Sequence, residues 1–177
     1  MVYKYDHPHP ALAADIALLT ARGGRLSILL VRRGNPPFED RWALPGGFME
    51  IDETLAQCAA RELVEETGVT GIELFPVAVF DAVHRDPRER IVTRVHAGLV
   101  RERAIKPRGD SDARDARWFY VSELPGLAFD HARIIAEVRQ WLCRHPDISG
   151  LALGMLPVDY EKEDLVRLYA ELTFQKR

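Results

Sequence analysis

Cysteine is scarce in this chain: Cys58 and Cys143 are the only two among 177 residues. A fold stapled by disulfides is therefore excluded, and both thiols are expected to be reduced core residues of a cytoplasmic chain. Long apolar runs are absent too. None approaches the roughly 20 residues needed to span a membrane. The opening segment MVYKYDHPHP lacks the apolar stretch of a secretory signal. Basic charge is not in excess, since 24 Lys and Arg against 27 Asp and Glu leave a net charge of −3. A large nucleic-acid surface would reward the opposite balance, so nucleic acid is not an expected partner. No internal repeat or low-complexity segment interrupts the chain. What remains is 47% hydrophobic and 29% charged residues, a soluble globular composition. At this length roughly 70% of the unfolded surface can be buried, enough for a core without staples.

The order of patterns is informative. Ala11–Leu19 and Leu26–Val31 are apolar runs joined through Gly23-Gly24, which reads as a β-hairpin. RGNPPFED, from Arg33 to Asp40, is a loop broken by Gly and Pro. Trp42–Leu44 is a short strand ended by Pro45-Gly46-Gly47. A helix follows, with Asp52 as its expected N-cap, Glu53 as first-turn negative charge and Gly68 as its C-terminal stop. Ile72–Val83 and Ile91–Val100 are strand-like and flank the charged segment HRDPRER. Ala116–Val121 is an aromatic strand. Asp130 is expected to cap a second helix carrying Ile134, Ile135, Val138, Trp141 and Leu142. In the tail, Leu165, Leu168, Tyr169 and Leu172 fall at i, i+3, i+4 and i+7. They predict a third, amphipathic helix whose four apolar residues are buried. Strands mixed with helices but without regular βα alternation indicate an α+β layered domain.

The chemistry concentrates in GFMEIDETLAQCAARELVEETGV, residues 47–69. At about 100° per residue, Glu62 and Glu66 share one helical face and Glu65 lies beside them. Ala56, Ala59, Ala60 and Leu63 make an adjacent apolar stripe that can pack on a sheet. Three carboxylates within five residues repel one another, and a hard divalent cation reverses that repulsion. Oxygen ligands suit Mg²⁺ or Mn²⁺, and Mg²⁺ commonly takes one or two carboxylates together with substrate phosphates. An acidic run on a helix is more often just a solvated face. The whole constellation changes the odds, because nine positions are specified across these 23 residues without a gap.

The segment resembles the Nudix box, G-x5-E-x7-R-E-U-x-E-E-x-G-U with U apolar, at every position. LLVRRGNPPF and RWALPGGF before it, and FDAVHRDPRER after it, resemble the bacterial ADP-ribose pyrophosphatase-like branch of that superfamily. The resemblance covers about residues 10–145. It implies an α/β/α sandwich with a mixed central sheet flanked by helices, over residues 1–149, followed by a short helical extension over 150–177. It implies that Glu62 and Glu66 are the principal metal ligands, that Glu65 helps with a second ion, and that the Gly46 carbonyl ligates as well. Arg61 is implied to pair with Glu53 and brace the loop against the helix. The general base stays open, with Asp110, Asp112 and Asp115 as loop candidates. Arg32, Arg33, Arg85 and Arg88 are candidates for the substrate's phosphates, because guanidinium forks match phosphate oxygens. Phe38, Phe48 and Phe80 could stack a base, although such aromatics are more often core. The six histidines show no clustered metal spacing and read as structural or surface residues.

The function implied is Mg²⁺-dependent hydrolysis of a nucleoside diphosphate linked to another moiety, with ADP-ribose, yielding AMP and ribose 5-phosphate, as the leading substrate. NADH, dinucleoside polyphosphates and oxidised nucleotides are the alternatives. A second reading is an ADP-ribose-sensing regulator of NAD metabolism, in which the tail LALGMLPVDYEKEDLVRLYAEL is the remnant of a winged-helix segment. The tail carries Glu161, Glu163, Asp164 and Glu171 and lacks a basic recognition helix, which favours the enzyme. The resemblance also suggests a homodimer.

Overall fold

The computed structural model describes residues 4–101, 113–145, 150 and 153–173. Strand β1, Ala11–Arg22, is the axis of the molecule. Its residues from Ala14 to Ala21 are buried on both faces, as its nearly unbroken apolar sequence requires. It turns at Gly23-Gly24 into β2, Arg25–Arg33, which pairs with it antiparallel. Both glycines have positive φ, 56° and 72°, the requirement of a two-residue turn whose twist matches the flanking strands. Gly24 meets a second requirement, because a Cβ there would collide with the backbone of Asp164.

On its other side β1 runs parallel to β6, Ile91–Leu99, and β6 pairs antiparallel with β5, Leu74–Phe80. Strand β7, Ala113–Tyr120, and the two-residue β3, Trp42–Ala43, pair with opposite edges of β2. The three-residue β4, Gly46–Phe48, pairs with the first half of β1. The result is one seven-stranded mixed sheet.

Helix α1, Leu55–Thr67, covers one face of the sheet with Cys58, Ala59 and Leu63. Helices α2, His131–Arg144, and α3, Lys162–Thr173, cover the other. The expected α/β/α sandwich is therefore the architecture observed. The tail joins the same core: Leu168 and Leu172 pack with Met155, Leu156 and the α2 stripe. Glu171 accepts the Leu26 N–H at 2.8 Å, which satisfies a donor near the start of β2.

Several local expectations are corrected. The N-cap of α1 is Thr54, not Asp52, and it forms a capping box with Gln57. Glu53 therefore precedes the helix instead of charging its first turn. The buried stripe of α1 includes Cys58, whereas Ala56 and Ala60 are exposed. Asp130 occupies the N-cap position of α2 but makes no capping bond, because its carboxylate is taken by Arg85. Tyr169 is 66% exposed and so lies outside the buried stripe of α3. Cys143 is exposed and only Cys58 is a core thiol.

The tail thus makes its own energetic prediction. Leu168→Ala should lower the unfolding free energy by about 2–5 kcal/mol, the usual cost of emptying a packed leucine site. Tyr169→Ala should change it by less than about 0.5 kcal/mol. Urea unfolding of both variants checks this; equal, small effects would mean that α3 is not part of the core.

Candidate active site

The site forms where the central sheet splits. From Leu19 onward β1 pairs with β2; before it, Ala13, Ala14 and Asp15 pair with Phe48, Gly47 and Gly46 of β4. Strand β4 leads towards α1, whose acidic face is drawn up against it. The approach is close enough to require both glycines. A Cβ on Gly46, at φ 156°, would strike the Ala14 carbonyl, and one on Gly47 would strike the Glu62 carboxylate. In return the Gly46 N–H donates to Glu66 Oε2 at 2.9 Å.

That arrangement makes Glu66 an unusual carboxylate. Burial pushes its pKa up to about 8, and Glu62 and Asp15 nearby push the same way. Burial also raises the Glu62 carboxyl above the usual range. Glu65 is about half exposed. Among the described residues, no three acidic, His or Cys side chains already converge as a finished metal cage. Glu62 turns to Arg61 at 2.7 Å and Glu66 to the Gly46 N–H. The donors are all oxygens and carry an excess of negative charge. They fit a hard cation that takes one or two carboxylates and completes its shell with water and phosphate.

Arg61 is the hub on the helix side. It makes two bonds to Glu53, at 2.6 and 3.1 Å. It also reaches Glu62, Glu65 at 3.1 Å and the Phe48 carbonyl at 3.0 Å. One guanidinium thereby ties the loop before α1, the end of β4 and the acidic face together. Its hydrogen bonds hold the Glu53 carboxyl down at about 2. Glu53 also accepts the Glu50 N–H at 2.8 Å, closing the loop on itself. Burial pushes the Cys58 thiol up to about 12, which keeps it protonated and unreactive.

The arginines do not form one set. Arg33 and Arg88 line the cleft of about 740 Å³ that holds Glu62, Glu65 and Glu66. Arg88 is anchored by two bonds to Asp86, at 2.8 and 3.0 Å. Arg85 is buried and already engaged, with Asp130 at 2.7 Å and Asp15 at 3.5 Å, so it is not available as a phosphate clamp. Arg32 alternates with Arg33 along β2, points to the opposite face of the sheet and pairs with Asp40 at 3.2 Å. Asp115 sits across from Arg32 and pairs with Arg117 at 2.6 Å. It therefore lies on the face away from the carboxylates and cannot reach them. Asp110 and Asp112 lie outside the described residues.

Two residues at the site went unrecognised as such in the sequence. Asp15 is the lone acid in the apolar run of β1, and that isolation was the available signal. His131 is buried; its Nδ1 accepts the Leu44 N–H at 2.9 Å, and its Nε2 lies 3.7 Å from Asp15. It fastens the chain just before Gly46 to the start of α2. No spacing rule connects residues 44 and 131, so only packing reveals it.

The Arg61–Glu53 brace yields a pH-dependent prediction. Glu53→Gln should cost about 1.5–3 kcal/mol of stability at pH 7, the usual worth of a hydrogen bond to a charged group. A carboxylate with a depressed folded pKa contributes stability above its unfolded value and loses it as pH falls through the folded value. The gap between parent and variant should therefore narrow from about pH 4.5 and close near pH 2. Thermal melts across that range read it out, and a gap independent of pH would remove the charge from the explanation.

A family model for the NUDIX domain matches residues 9–142. An ADP-ribose pyrophosphatase from Methanocaldococcus jannaschii is 38% identical over 133 residues, covering 75% of this chain and 75% of that protein. An ADPR responsive transcriptional repressor, NtrR, from Acinetobacter baylyi is 31% identical over 170 residues, covering 94% of this chain and 68% of the repressor. Among solved structures, the NUDIX domain of Shewanella oneidensis NrtR complexed with ADP ribose aligns with a TM-score of 0.70 at 32% identity, covering 78% of this chain and 94% of that one. With the box, the sandwich and a domain match over most of its length, this chain belongs to the Nudix family.

Proposed function

We propose that this Nudix pyrophosphohydrolase cleaves ADP-ribose to AMP and ribose 5-phosphate with the help of Mg²⁺. The observation that carries the reading is Glu66: a carboxylate sunk in the cleft, bonded to one backbone N–H and faced by the acidic Glu62 and Asp15. Such a group is costly unless a cation joins it. In this reading Glu62 and Glu66 hold the metal, Glu65 supports a second ion and the Gly46 carbonyl completes the set. A bound divalent ion supplies Lewis-acid polarisation of the phosphoryl oxygens and lowers the pKa of a bound water.

The remaining roles belong to the chain. Arg61 keeps Glu62 and the Phe48 carbonyl in register. Gly46 and Gly47 allow the backbone to lie against the acidic face. Arg33 and Arg88, which line the cleft, offer guanidinium groups to the diphosphate. The proton of the attacking water needs a carboxylate acceptor, and Asp110 and Asp112 stay candidates from the sequence.

ADP-ribose leads because the pyrophosphatase relative and the NrtR complex both name it. The proposal includes a homodimer, the domain division at residue 149 and a cytoplasmic setting. No helix among the described residues is long and apolar enough to cross a membrane. A second reading is an ADP-ribose-responsive regulator. It is favoured by the similarity to the repressor, which extends over 94% of this chain and so into the tail. The two readings part on turnover, since a regulator domain binds ADP-ribose without consuming it.

Phosphate release from ADP-ribose in Mg²⁺, coupled to a phosphatase, tests the activity. Glu66→Gln should lower kcat at least about 10²-fold, equivalent to about 2.7 kcal/mol of transition-state stabilisation. The amide oxygen can still accept the Gly46 N–H, and a neutral group is cheaper to bury. Without metal the melting temperature should therefore be unchanged or higher. Wild-type turnover by Glu66→Gln in saturating Mg²⁺ would refute the site.

A further inference from the structure

Residues 81–90 join β5 to β6, and of these only Asp86 is buried. Its carboxylate is 3% exposed. Among the described residues it is bonded by Arg88 alone, and that one residue reaches it three ways. The Arg88 backbone N–H and Nε donate to Asp86 Oδ1 at 2.9 and 3.0 Å, and Nη2 donates to Oδ2 at 2.8 Å. Burial alone would raise the Asp86 carboxyl; the Arg88 bonds outweigh it and hold the carboxyl below the usual range. Pro87 lies between the two and fixes its own φ, so this turn has little freedom. The other two arginines of the segment tie it to the fold. Arg85 is buried against Asp130 and Asp15. Arg90 Nη1 donates to the Asp81 and Ala82 carbonyls at 2.6 and 3.1 Å. Arg88 differs from both. Its side chain is 40% exposed, and it lines the carboxylate cleft. Its guanidinium lies over the Phe48 ring, 5.2 Å from the ring centre.

We propose that Asp86 is a positioning residue for the diphosphate: it grips one edge of the Arg88 guanidinium and leaves the other end as a fixed, two-pronged donor. The proposal rests on the diphosphate lying at the carboxylate cleft, as proposed above. Asp86 takes the Nε–H and one N–H of Nη2. The end formed by Nη1 and the second N–H of Nη2 is left, and it can bond two phosphate oxygens at once. The Phe48 ring covers one flat face of the group, so the guanidinium is held in its plane as well as along its edge. An arginine fixed in this way loses little further freedom when it binds, whereas a loose one would lose much. The burial of Asp86 supports the reading. An exposed aspartate would close the same turn through its backbone bond alone. Sinking the carboxylate is costly unless it is paired, and its pairing fixes Arg88 in one orientation.

The test is a double-mutant cycle on the full chain: parent, Asp86→Asn, Arg88→Ala and the double variant. Calorimetry reads the binding of α,β-methylene ADP, an uncleavable diphosphate, in saturating Mg²⁺, and melting temperatures identify folded variants. Asparagine can still accept the Arg88 N–H and Nε–H through its oxygen, which keeps the turn, but its NH₂ meets Nη2 donor to donor. Arg88→Ala should weaken binding about tenfold or more, in line with a charge-assisted contact. Asp86→Asn should weaken it about threefold or more with Arg88 present, and less than about twofold once Arg88 is alanine. Equal losses in both backgrounds overturn the proposal, since Asp86 would then act on the loop alone; so does parental affinity in Asp86→Asn. Arg88→Lys, at an exposed side chain, should fold even if Asp86→Asn does not. It keeps the charge and loses the fork, and parental affinity in this variant also overturns the proposal. In ADP-ribose turnover, Asp86→Asn should raise KM by the factor seen in binding and leave kcat within about twofold. Hydrolysis separates the two readings. If the cycle shows coupling but ADP-ribose is not cleaved, the positioning stands and the hydrolase fails. If ADP-ribose is cleaved and the cycle shows no coupling, the hydrolase stands and the positioning fails. If the parent does not bind the probe, the diphosphate reading of the cleft falls and the proposal falls with it.

Discussion

The close approach of α1 to the Gly46-Gly47 backbone is the constraint on which the rest of the site depends. Two missing side chains let a helix carrying three glutamates lie against a strand end, and one N–H then bonds Glu66. That contact concentrates negative charge in a partly desolvated cleft. The protein offsets part of it with a single arginine, Arg61, which serves Glu53, Glu62, Glu65 and the Phe48 carbonyl together. The charge that Arg61 does not offset is left facing the cleft, where a cation and a diphosphate would meet it.

The segment before Gly46 is held by a different device. Asp15, Arg85, Asp130 and His131 form a buried polar group at the start of α2. It joins the central strand, the loop after β5 and the segment before Gly46. A buried ion group adds little net stability over an apolar replacement, but breaking it is costly. Its consequence here is geometric: it sets where Leu44 lies, and hence where Gly46 stands. Asp130 gives up its capping role to serve this group, and α2 starts without a side-chain cap.

Two kinds of structure surround the site. The carboxylate end rests on regular structure, a helix and paired strands. Loops around Phe38, Val83 and Phe129 wall a separate hollow nearby. Arg88, anchored on Asp86, borders the cleft from one of those loops.

Much of this was legible in the chain itself. The Gly pair of the hairpin, the apolar strand runs, the stop at Gly68 and the box are local patterns, and local patterns act through bonded geometry and fixed periodicity. They led to the α/β/α sandwich and brought Gly46, Glu53, Arg61, Glu62, Glu65 and Glu66 to one place. Errors arose where two distant segments compete for one group. Asp130 looks like a cap until Arg85 claims it. Tyr169 fits the helical stripe, yet it stays exposed while Leu165, Leu168 and Leu172 pack on the core. Arg32 and Arg33 look equivalent until pleating sends them to opposite faces, and Asp115 follows Arg32 away from the site. The sequence by itself determined the elements and the acidic helix, because those depend on spacing along the chain. Tertiary structure alone decided which arginines face the cleft, that His131 anchors Leu44 and that Phe38 meets Phe129, because those depend on contacts between residues tens of positions apart.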